Sequence, residues 1–224
     1  SNICTAQALL ATMAGFYAVY HGPEGIRTIA GRIHSIAAFL EQEINKLGYR
    51  QMNAQYFDTL RFALPDNVSA QQVRTVALSK EVNLRYFKNG DVGMSIDETT
   101  DLAAVNVLLS IFGIAAGKDY TKAADIPESC TIAEAFRRQS AYLTHEVFNK
   151  YHTETEMMRY IKRLDRKDIS LAHSMISLGS CTMKLNAAAE MLPLSRPEFM
   201  GMHPLVPEDQ AEGYRELIHN LSEE

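Results

Sequence analysis

The hydrophobic period of the chain changes at Gly48, and this change limits the possible folds more than any other feature. Before Gly48, apolar side chains recur every three to four residues from Ile26 to Leu47, which predicts a long amphipathic helix. After Gly48, apolar and polar side chains alternate around residues 60–64, 82–86 and 92–96, as in half-buried strands. The two periods together predict an antiparallel sheet that is covered on one face by helices.

Shorter signals predict the remaining elements of this first region. Ser69 and Gln72 fit a capping box that opens a helix to about Ser79. Asn89-Gly90 predicts a two-residue hairpin turn between two strands. A last helix is predicted over residues 100–112, so that a small α+β unit ends near residue 117.

A second helix is predicted before the long one. Residues 5–20 are apolar on almost every side, which is typical of a helix buried between layers or at a subunit contact. His21-Gly22-Pro23 then places a proline at the first position of the long helix, where its missing N–H is harmless.

The pattern weakens after residue 117. Residues 118–150 are interpreted as a linker between domains, with one helical piece at 132–139. One helix is predicted to start at residues 153–156, and two more are predicted at residues 187–191 and 208–221. No alternating pattern typical of a strand follows Ile96. Residues 151–224 therefore cannot close a sheet of their own, and we expect the chain to be cut from a longer polypeptide.

Composition excludes several classes of protein. A net charge of -5 argues against a dedicated nucleic-acid binder, which needs clustered Lys and Arg. No apolar run is long enough to span a membrane, so no membrane partner is expected. The three cysteines, Cys4, Cys130 and Cys181, are far apart and form no C-x-x-C pair, which indicates a reducing compartment such as the cytoplasm rather than a disulfide framework.

Residues 177–186 carry the strongest chemical signal. The segment Ser-Leu-Gly-Ser-Cys-Thr-Met-Lys-Leu-Asn offers backbone N–H groups, hydroxyls and one lysine just before an Ala-rich helix start. Such a segment is suited to hold an anion, although an ordinary capping loop would have a similar composition. The candidate site residues are Ser180, Cys181, Thr182, Lys184 and Asn186.

Two other kinds of site receive less support. His145, His152, Glu154 and Glu156 match neither H-E-x-x-H nor a zinc-finger spacing, so no metal site is predicted. Cys181 has no fixed sequence relation to a histidine and fits a small packing residue better than a nucleophile. The lysines other than Lys184 lie on predicted helix faces, turns or linkers, which is not the setting of a Schiff-base lysine.

Several strings along the chain resemble one family. The most specific are Glu154-Thr-Glu-Met-Met-Arg-Tyr160 and Leu178-Gly-Ser-Cys-Thr-Met-Lys-Leu-Asn186. They are similar to the P-protein of the glycine cleavage system, a pyridoxal-phosphate-dependent glycine decarboxylase. The chain departs from that family's usual pattern at Ser177 and Glu146, where the family has proline. The other matching strings lie at residues 1–7, 17–23, 142–145, 147–149, 151–152 and 210–214.

The resemblance implies an α/β fold class, α+β within these residues, built from parts of the fold-type I architecture of pyridoxal-phosphate enzymes. The long form of the family resembles two fused copies of that fold. Residues 1–117 would then be the end of the first, non-catalytic half: an interface helix, a long connecting helix and a small C-terminal domain. Residues 118–150 would be the crossover, and residues 151–224 the incomplete start of the catalytic half.

The resemblance also implies an activity, a cofactor and partners. With pyridoxal phosphate, glycine would lose carbon dioxide, and its aminomethyl group would pass to the lipoyl group of the H-protein. The Schiff-base lysine would lie beyond Glu224, so this chain alone is expected to be inactive. The two halves, or two copies, would pair.

Two roles remain open for the candidate site residues. In the first, Ser180, Cys181, Thr182, Lys184 and Asn186 line the mouth of the active site and help hold the glycine carboxylate or the cofactor phosphate. His145 and His152 are further candidates, with less support, for contacts to those residues rather than to the substrate. In the second, the chain is a purely structural or assembly segment of the enzyme, and helix 5–20 mediates pairing.

Overall fold

The computed structural model describes residues 6–167, 173, 189 and 192–223. Contacts divide the chain into a unit that spans Ala6–Leu164 and a second unit that contains Asp165–Glu224. The first unit holds all of the strands described in the structure, and its elements are, in chain order, α1 (Ala6–Lys46), β1 (Arg50–Gln51), β2 (Thr59–Ala63), α2 (Ala70–Ser79), β3 (Arg85–Tyr86), β4 (Val92–Ser95), α3 (Leu102–Ala116) and α4 (Glu154–Asp165).

Helix α1 consists of two helical arms joined at a kink. Gly22 has φ 61° and ψ −177°, which lies outside the helical region, and Pro23 follows it. The predicted proline at the first position of the long helix is thus confirmed, because Pro23 opens the second arm. The first arm, residues 6–21, differs from its predicted burial: Leu9 and Met13 are exposed in this structure, whereas Val19 is buried.

The sheet is antiparallel and has the order β1-β2-β4-β3. In its central pair, Leu60 of β2 lies opposite Met94 of β4, and Phe62 lies opposite Val92. These four side chains are buried, and with Ile96 they form the apolar face that the alternating pattern predicted. The antiparallel sheet with helices is therefore confirmed, and the short strand β1 is an addition that the sequence pattern did not indicate.

The core lies between this sheet face and the helices. The second arm of α1 contributes Ile36, Leu40 and Ile44, and α3 contributes Leu109 and Phe112. The buried hydroxyl of Tyr49 donates to the Phe112 carbonyl at 2.9 Å, and burial raises the pKa of Tyr49 to about 12. The phenol therefore stays protonated and keeps this hydrogen bond over the whole neutral range.

The ends of α2 and α3 are fixed by side chains. The predicted capping box is confirmed, since Ser69 and Gln72 exchange hydrogen bonds at the start of α2, which ends at Ser79 as expected. Asp101 caps α3 by accepting from the Ala104 N–H at 2.8 Å. Gly117, with φ 62°, ends α3 in a left-handed conformation four residues later than predicted.

The predicted two-residue turn at Asn89-Gly90 is wrong. Phe87 still pairs with Asp91 through an N–H to carbonyl bond of 2.9 Å, so the loop has three residues, 88–90. Gly90 takes φ 91° at the third loop position, which is the three-residue hairpin geometry. Asn89 donates to the Asp91 carboxylate at 2.9 Å, and this bond, together with Arg61 at 2.6 Å, lowers the pKa of Asp91.

Residues 118–131 contain no helix or strand and form a strap that is bonded to α1 and α3. Asn106 of α3 bonds both the N–H of Ala123, at 2.8 Å, and its carbonyl, at 3.1 Å. Ser35 of α1 bonds the N–H and the carbonyl of Ser129 in the same two-sided way. The predicted helical piece at 132–139 is wrong, because only Glu134–Phe136 forms a short 3₁₀ turn there.

The helix predicted at residues 153–156 is confirmed as α4. Thr153 accepts from the Glu156 N–H at 3.3 Å, and Glu154 and Glu156 stand in the first turn, where they complement the helix dipole. A 3₁₀ turn, Glu146–Asn149, precedes α4.

The second unit is made of turns and helices in its described residues. It contains a 3₁₀ turn at Leu192–Ser195, the short helix α5 (Pro197–Met200), a 3₁₀ turn at Glu208–Gln210 and the helix α6 (Glu212–Glu223). Tyr214 donates to the Phe199 carbonyl at 2.6 Å, which ties α6 to α5. The predicted helix at 208–221 is confirmed by α6, whereas the one at 187–191 lies almost wholly outside the described residues.

No helix among the described residues is both long enough and apolar enough to cross a membrane.

Candidate functional site

Of the predicted site residues, two lie in the described part of the chain. Ser180, Cys181, Thr182, Lys184 and Asn186 lie outside it, so their predicted role stays a prediction. His145 and His152 are described, and both are exposed side chains of the segment that leads into α4.

His152 is bound to the kink of α1. Its Nδ1–H donates to the Tyr20 carbonyl at 2.7 Å. Tyr142, ten residues earlier, donates its hydroxyl to the Pro23 carbonyl, also at 2.7 Å. Because Gly22 leaves the helical conformation, the Tyr20 carbonyl at the end of the first arm loses its helical partner, and His152 supplies another.

Gly22 lets the segment at residues 142–152 approach the kink of α1 closely. A Cβ placed at Gly22 would lie 2.6 Å from the Phe148 carbonyl oxygen and 2.8 Å from Cε1 of His152. Both distances are shorter than any real Cβ contact, and φ at this position is positive. Residues 142–152 and the kink of α1 therefore form one joint, which we call the kink joint.

The two histidines present different groups to their surroundings. His145 accepts from the Val147 N–H through Nδ1 at 3.1 Å, so its neutral ring carries the proton on Nε2. His152 donates through Nδ1, so its neutral ring keeps a lone pair on Nε2. His145 thus offers a hydrogen-bond donor at Nε2, and His152 offers an acceptor at the same atom.

Aromatic contacts hold α4 against the first arm of α1. The Tyr160 ring stacks on the Tyr151 ring at 4.3 Å and meets the edge of Phe16 at 6.2 Å. Arg163 lies over both tyrosine rings and donates to the Tyr151 hydroxyl at 2.5 Å. The kink joint and these aromatic contacts together hold α4 in place. In the sequence, α4 precedes the candidate loop at residues 180–186.

A buried histidine that the sequence analysis overlooked holds the strap. His34 is 2% exposed, donates through Nδ1 to the Phe57 carbonyl at 2.8 Å, and accepts from the Thr131 N–H through Nε2 at 3.0 Å. Both ring nitrogens are used, so this histidine is structural. One signal in the sequence could have indicated this role: His34 is a polar residue on the apolar stripe of α1, close to Ile33 and Ile36.

An open cavity of about 810 Å³ lies between α1, the start of α3 and the strap. Its charged walls are Arg27, Arg32, Asp125 and Glu128. Arg32 already donates to the Thr100 carbonyl at 3.0 Å, and Arg27 pairs with Glu24 at 3.5 Å. The opposed charges largely balance, so the cavity does not select for anions.

The described lysines do not fit a pyridoxal phosphate site. A Schiff-base lysine is held in an enclosed pocket where its amine loses a proton readily. All of the described lysines are exposed, none lines the cavity, and Lys118 donates to the Leu47 carbonyl at 2.7 Å. The described residues therefore support no step that passes through that cofactor; the lysines are Lys46, Lys80, Lys88, Lys118, Lys122, Lys150, Lys162 and Lys167.

In the part of the chain that the structure describes, no three His, Cys, Asp or Glu side chains are grouped so as to hold a metal ion. His145 and His152 each use one ring nitrogen on the backbone.

The family model and the similar proteins that match the chain point to the same family. A family model described as "Glycine cleavage system P-protein" matches residues 1–112. "Glycine dehydrogenase (decarboxylating)" of Bacteroides fragilis strain YCH46 is 81% identical over all 224 residues. Proteins of the same name from Shewanella amazonensis and Christiangramia forsetii are 54% and 49% identical over 227 residues, and each of these matches covers 100% of the chain.

The relatives are much longer than the chain. It covers 24% of the Bacteroides fragilis and Christiangramia forsetii proteins and 23% of the Shewanella amazonensis protein. The 224 residues therefore correspond to about a quarter of each relative.

Proposed function

Because the chain belongs to the glycine cleavage system P-protein family, we propose that it is an internal part of a pyridoxal-phosphate-dependent glycine decarboxylase. The observation that carries this proposal is the 81% identity, over the whole chain, to a protein named glycine dehydrogenase (decarboxylating). The family match to residues 1–112 supports it independently of the motif at 178–186.

The proposed reaction belongs to the whole enzyme. Glycine loses carbon dioxide, and its aminomethyl group is transferred to one sulfur of the oxidised lipoyl group of an H-protein while the other sulfur is reduced to a thiol. Pyridoxal phosphate would take up the electrons left when carbon dioxide departs. We place the cofactor lysine beyond Glu224, in agreement with the exposed described lysines, and we place the enzyme in the bacterial cytoplasm.

We further propose how the chain divides between two halves of that enzyme. Residues 1–117 would end a non-catalytic half, residues 118–150 would cross over, and residues 151–224 would begin the catalytic half of a fold-type I architecture. The strap supports a fixed rather than a loose crossover, because Ser35 and Asn106 each bind both backbone groups of a strap residue.

Within the catalytic half, we assign a binding role to the loop at 180–186. Ser180, Cys181, Thr182, Lys184 and Asn186 would line the mouth of the active site and help hold the glycine carboxylate or the cofactor phosphate. Lys184 has the largest expected effect, because an ammonium in a pocket without water attracts an anion strongly. His145 and His152 would support the site from the kink joint without touching glycine.

The test is the replacement Lys184→Met in the full-length enzyme. Methionine keeps the length and apolar stem of lysine but removes its charge. We expect the rate of glycine–bicarbonate exchange to fall by about tenfold or more, which corresponds to about 1.4 kcal/mol of lost stabilisation.

The matched control is Lys122→Met, which changes an exposed lysine of the strap in the same way. This control should exchange at the normal rate. Normal exchange in the Lys184 variant as well would refute the assignment of the loop, while the decarboxylase proposal would still rest on the activity of the unaltered enzyme.

A second candidate function, assembly alone, is favoured by one observation. The first arm of α1 exposes large apolar side chains in this structure, among them Leu9 and Leu10. If assembly is the only role, changes in the loop at 180–186 would alter pairing of the halves but leave the affinity for glycine unchanged. Measuring the KM for glycine and the molecular mass of the same variants separates the two roles.

A further inference from the structure

We propose that the outer face of the sheet binds an acidic segment of a partner protein in an extended conformation. One arginine stands on this face in each of three strands: Arg50 in β1, Arg61 in β2 and Arg85 in β3. We call these three residues the arginine face. The proposal goes beyond the decarboxylase function and does not rest on it.

The register of the sheet places the three arginines on one side. Arg61 lies between two buried residues of β2, so its own side chain lies on the outer face. Arg85 lies opposite Gly93, which in turn lies opposite Arg61, and residues directly opposite each other share a face. Arg50 lies opposite Ala63, two residues along β2 from Arg61, and therefore shares this face as well. Because neighbouring strands are about 4.8 Å apart, the row crosses the four-stranded sheet over about 14 Å.

Among the described residues, two of these three arginines have no ion-pair partner. Arg61 is paired with Asp91 at 2.6 Å, and Asn89 donates to the same carboxylate at 2.9 Å. Arg50 and Arg85 are exposed, and no carboxylate in the described part of the chain lies within ion-pair distance of either one. The sheet therefore presents positive charge that is not compensated locally, although the chain as a whole has a net charge of -5.

The ring of Phe87 orders two of the arginines. It lies over Gly93, where an added Cβ would come within 2.9 Å of the ring atom Cε2. The guanidinium carbons of Arg61 and Arg85 lie 4.5 Å and 5.7 Å from the centroid of this ring. Because the ring restricts both side chains, a ligand that binds them loses less side-chain entropy than it would at freely moving surface cations.

The chemistry of the arginine face favours carboxylates on a protein. A guanidinium group donates two parallel hydrogen bonds to a carboxylate or a phosphate, so either kind of anion matches it. Proteins that bind single-stranded nucleic acid also need free aromatic rings on which the bases stack. The Phe87 ring already contacts two guanidinium groups and so is not free for a base.

The width of the row fits an extended peptide. In a strand, side chains two residues apart point the same way and are separated by about 7 Å. Three acidic side chains at alternate positions therefore span about 14 Å, which equals the width of the arginine row. A helix of the same length would be much shorter, because its rise per residue is only about 1.5 Å.

The test measures peptide binding to the full-length protein. The probe is a ten-residue peptide that alternates glutamate and serine and carries a neutral dye, and its binding is followed by fluorescence anisotropy. The variant combines Arg50→Gln and Arg85→Gln, and it keeps Arg61, which is already ion-paired. The matched control combines Arg27→Gln and Lys122→Gln, which remove two positive charges from other exposed positions.

We expect the dissociation constant of the peptide to rise at least fivefold in the arginine-face variant and less than twofold in the control. High salt should also weaken binding to the unaltered protein, since ions screen exposed charge pairs. Equal affinities of the two variants would refute the proposal. Equal binding of a peptide that alternates glutamine and serine would refute it too, because recognition would then not depend on carboxylates.

Two further measurements complete the test. Tighter binding of a uridine decanucleotide than of the acidic peptide, lost in the arginine-face variant, would overturn the proposal in favour of a nucleic-acid surface. Should the double variant fail to fold by circular dichroism, Arg50→Gln and Arg85→Gln are tested singly. Each should raise the dissociation constant at least twofold, and unchanged affinity in both would refute the proposal.

The outcome is independent of the decarboxylase proposal. Glycine–bicarbonate exchange is measured on the same unaltered protein that binds the peptide. Absence of exchange together with charge-dependent peptide binding would refute the decarboxylase proposal alone. Normal exchange without peptide binding would refute the arginine-face proposal alone, so the two failures are distinguishable.

Discussion

His34 shows how one buried polar side chain can join distant parts of a chain. It lies in the apolar stripe of α1, yet both of its ring nitrogens have backbone partners, at Phe57 and Thr131. Its ring also stacks on Phe57 with planes 5° apart. A buried imidazole with two satisfied nitrogens stabilises the fold, whereas removal of the ring leaves two backbone groups without partners.

We therefore expect His34→Leu to lower the free energy of unfolding by about 2–4 kcal/mol, since each buried group left unpaired costs about 1–3 kcal/mol. Urea unfolding followed by circular dichroism would measure the change. The control His219→Leu replaces an exposed histidine of α6 and should stay within about 0.5 kcal/mol of the original. Similar values for the two variants would contradict the role of His34.

At the scale of elements, the kink joint depends on a residue without a side chain. Gly22 combines a positive φ with an extended ψ, a region that is nearly closed to other residues, and it packs against Phe148 and His152. Gly22→Ala should therefore destabilise the chain by about 1–3 kcal/mol and speed hydrogen exchange in residues 145–152.

Gly31 provides the matched control on the same helix. It has helical geometry, and a Cβ there would meet nothing within 4 Å. Gly31→Ala should stabilise the chain by about 0.5–1 kcal/mol, because alanine loses less backbone entropy on folding. If both substitutions shift the unfolding midpoint in the same direction, the explanation given for Gly22 is wrong.

The elements that the sequence predicted well are those whose signals are local. Each of these signals lies within a few residues of the structure that it predicts. Examples are the capping box at Ser69, the proline after Gly22 and the alternation at Leu60 and Phe62. The three-residue loop at Gly90 was missed because a two-residue and a three-residue turn share the Asn-Gly signal.

Contacts between elements that are distant in the sequence could not be predicted from local signals. The bonds from His34 to Thr131 and from Tyr142 to Pro23 join residues 97 and 119 positions apart. No periodicity connects such positions, since they meet only after the helices and the sheet have packed. Of the predicted site, His145 and His152 could be placed, and their opposite ring tautomers depend on backbone partners that a sequence does not display.

At the scale of the whole molecule, the described lysines bear on where cofactor chemistry takes place. Each of them is exposed, as a solvated charge prefers to be. Pyridoxal phosphate added to this chain should therefore give no stoichiometric adduct after borohydride reduction, as measured by intact mass and peptide mapping. A stoichiometric adduct on Lys184 would contradict our placement of the cofactor lysine beyond Glu224.

The strap has a consequence for the order in which the molecule forms. Its anchors at Ser129 and Thr131 lie 94 and 97 positions from their partners on α1, whereas the strands and helices between them close through much shorter loops. Closing a longer loop carries a larger entropic penalty, so we expect the strap to dock after the sheet has formed. On a ribosome, His34 must wait until almost a hundred further residues have been made before its second ring nitrogen finds a partner.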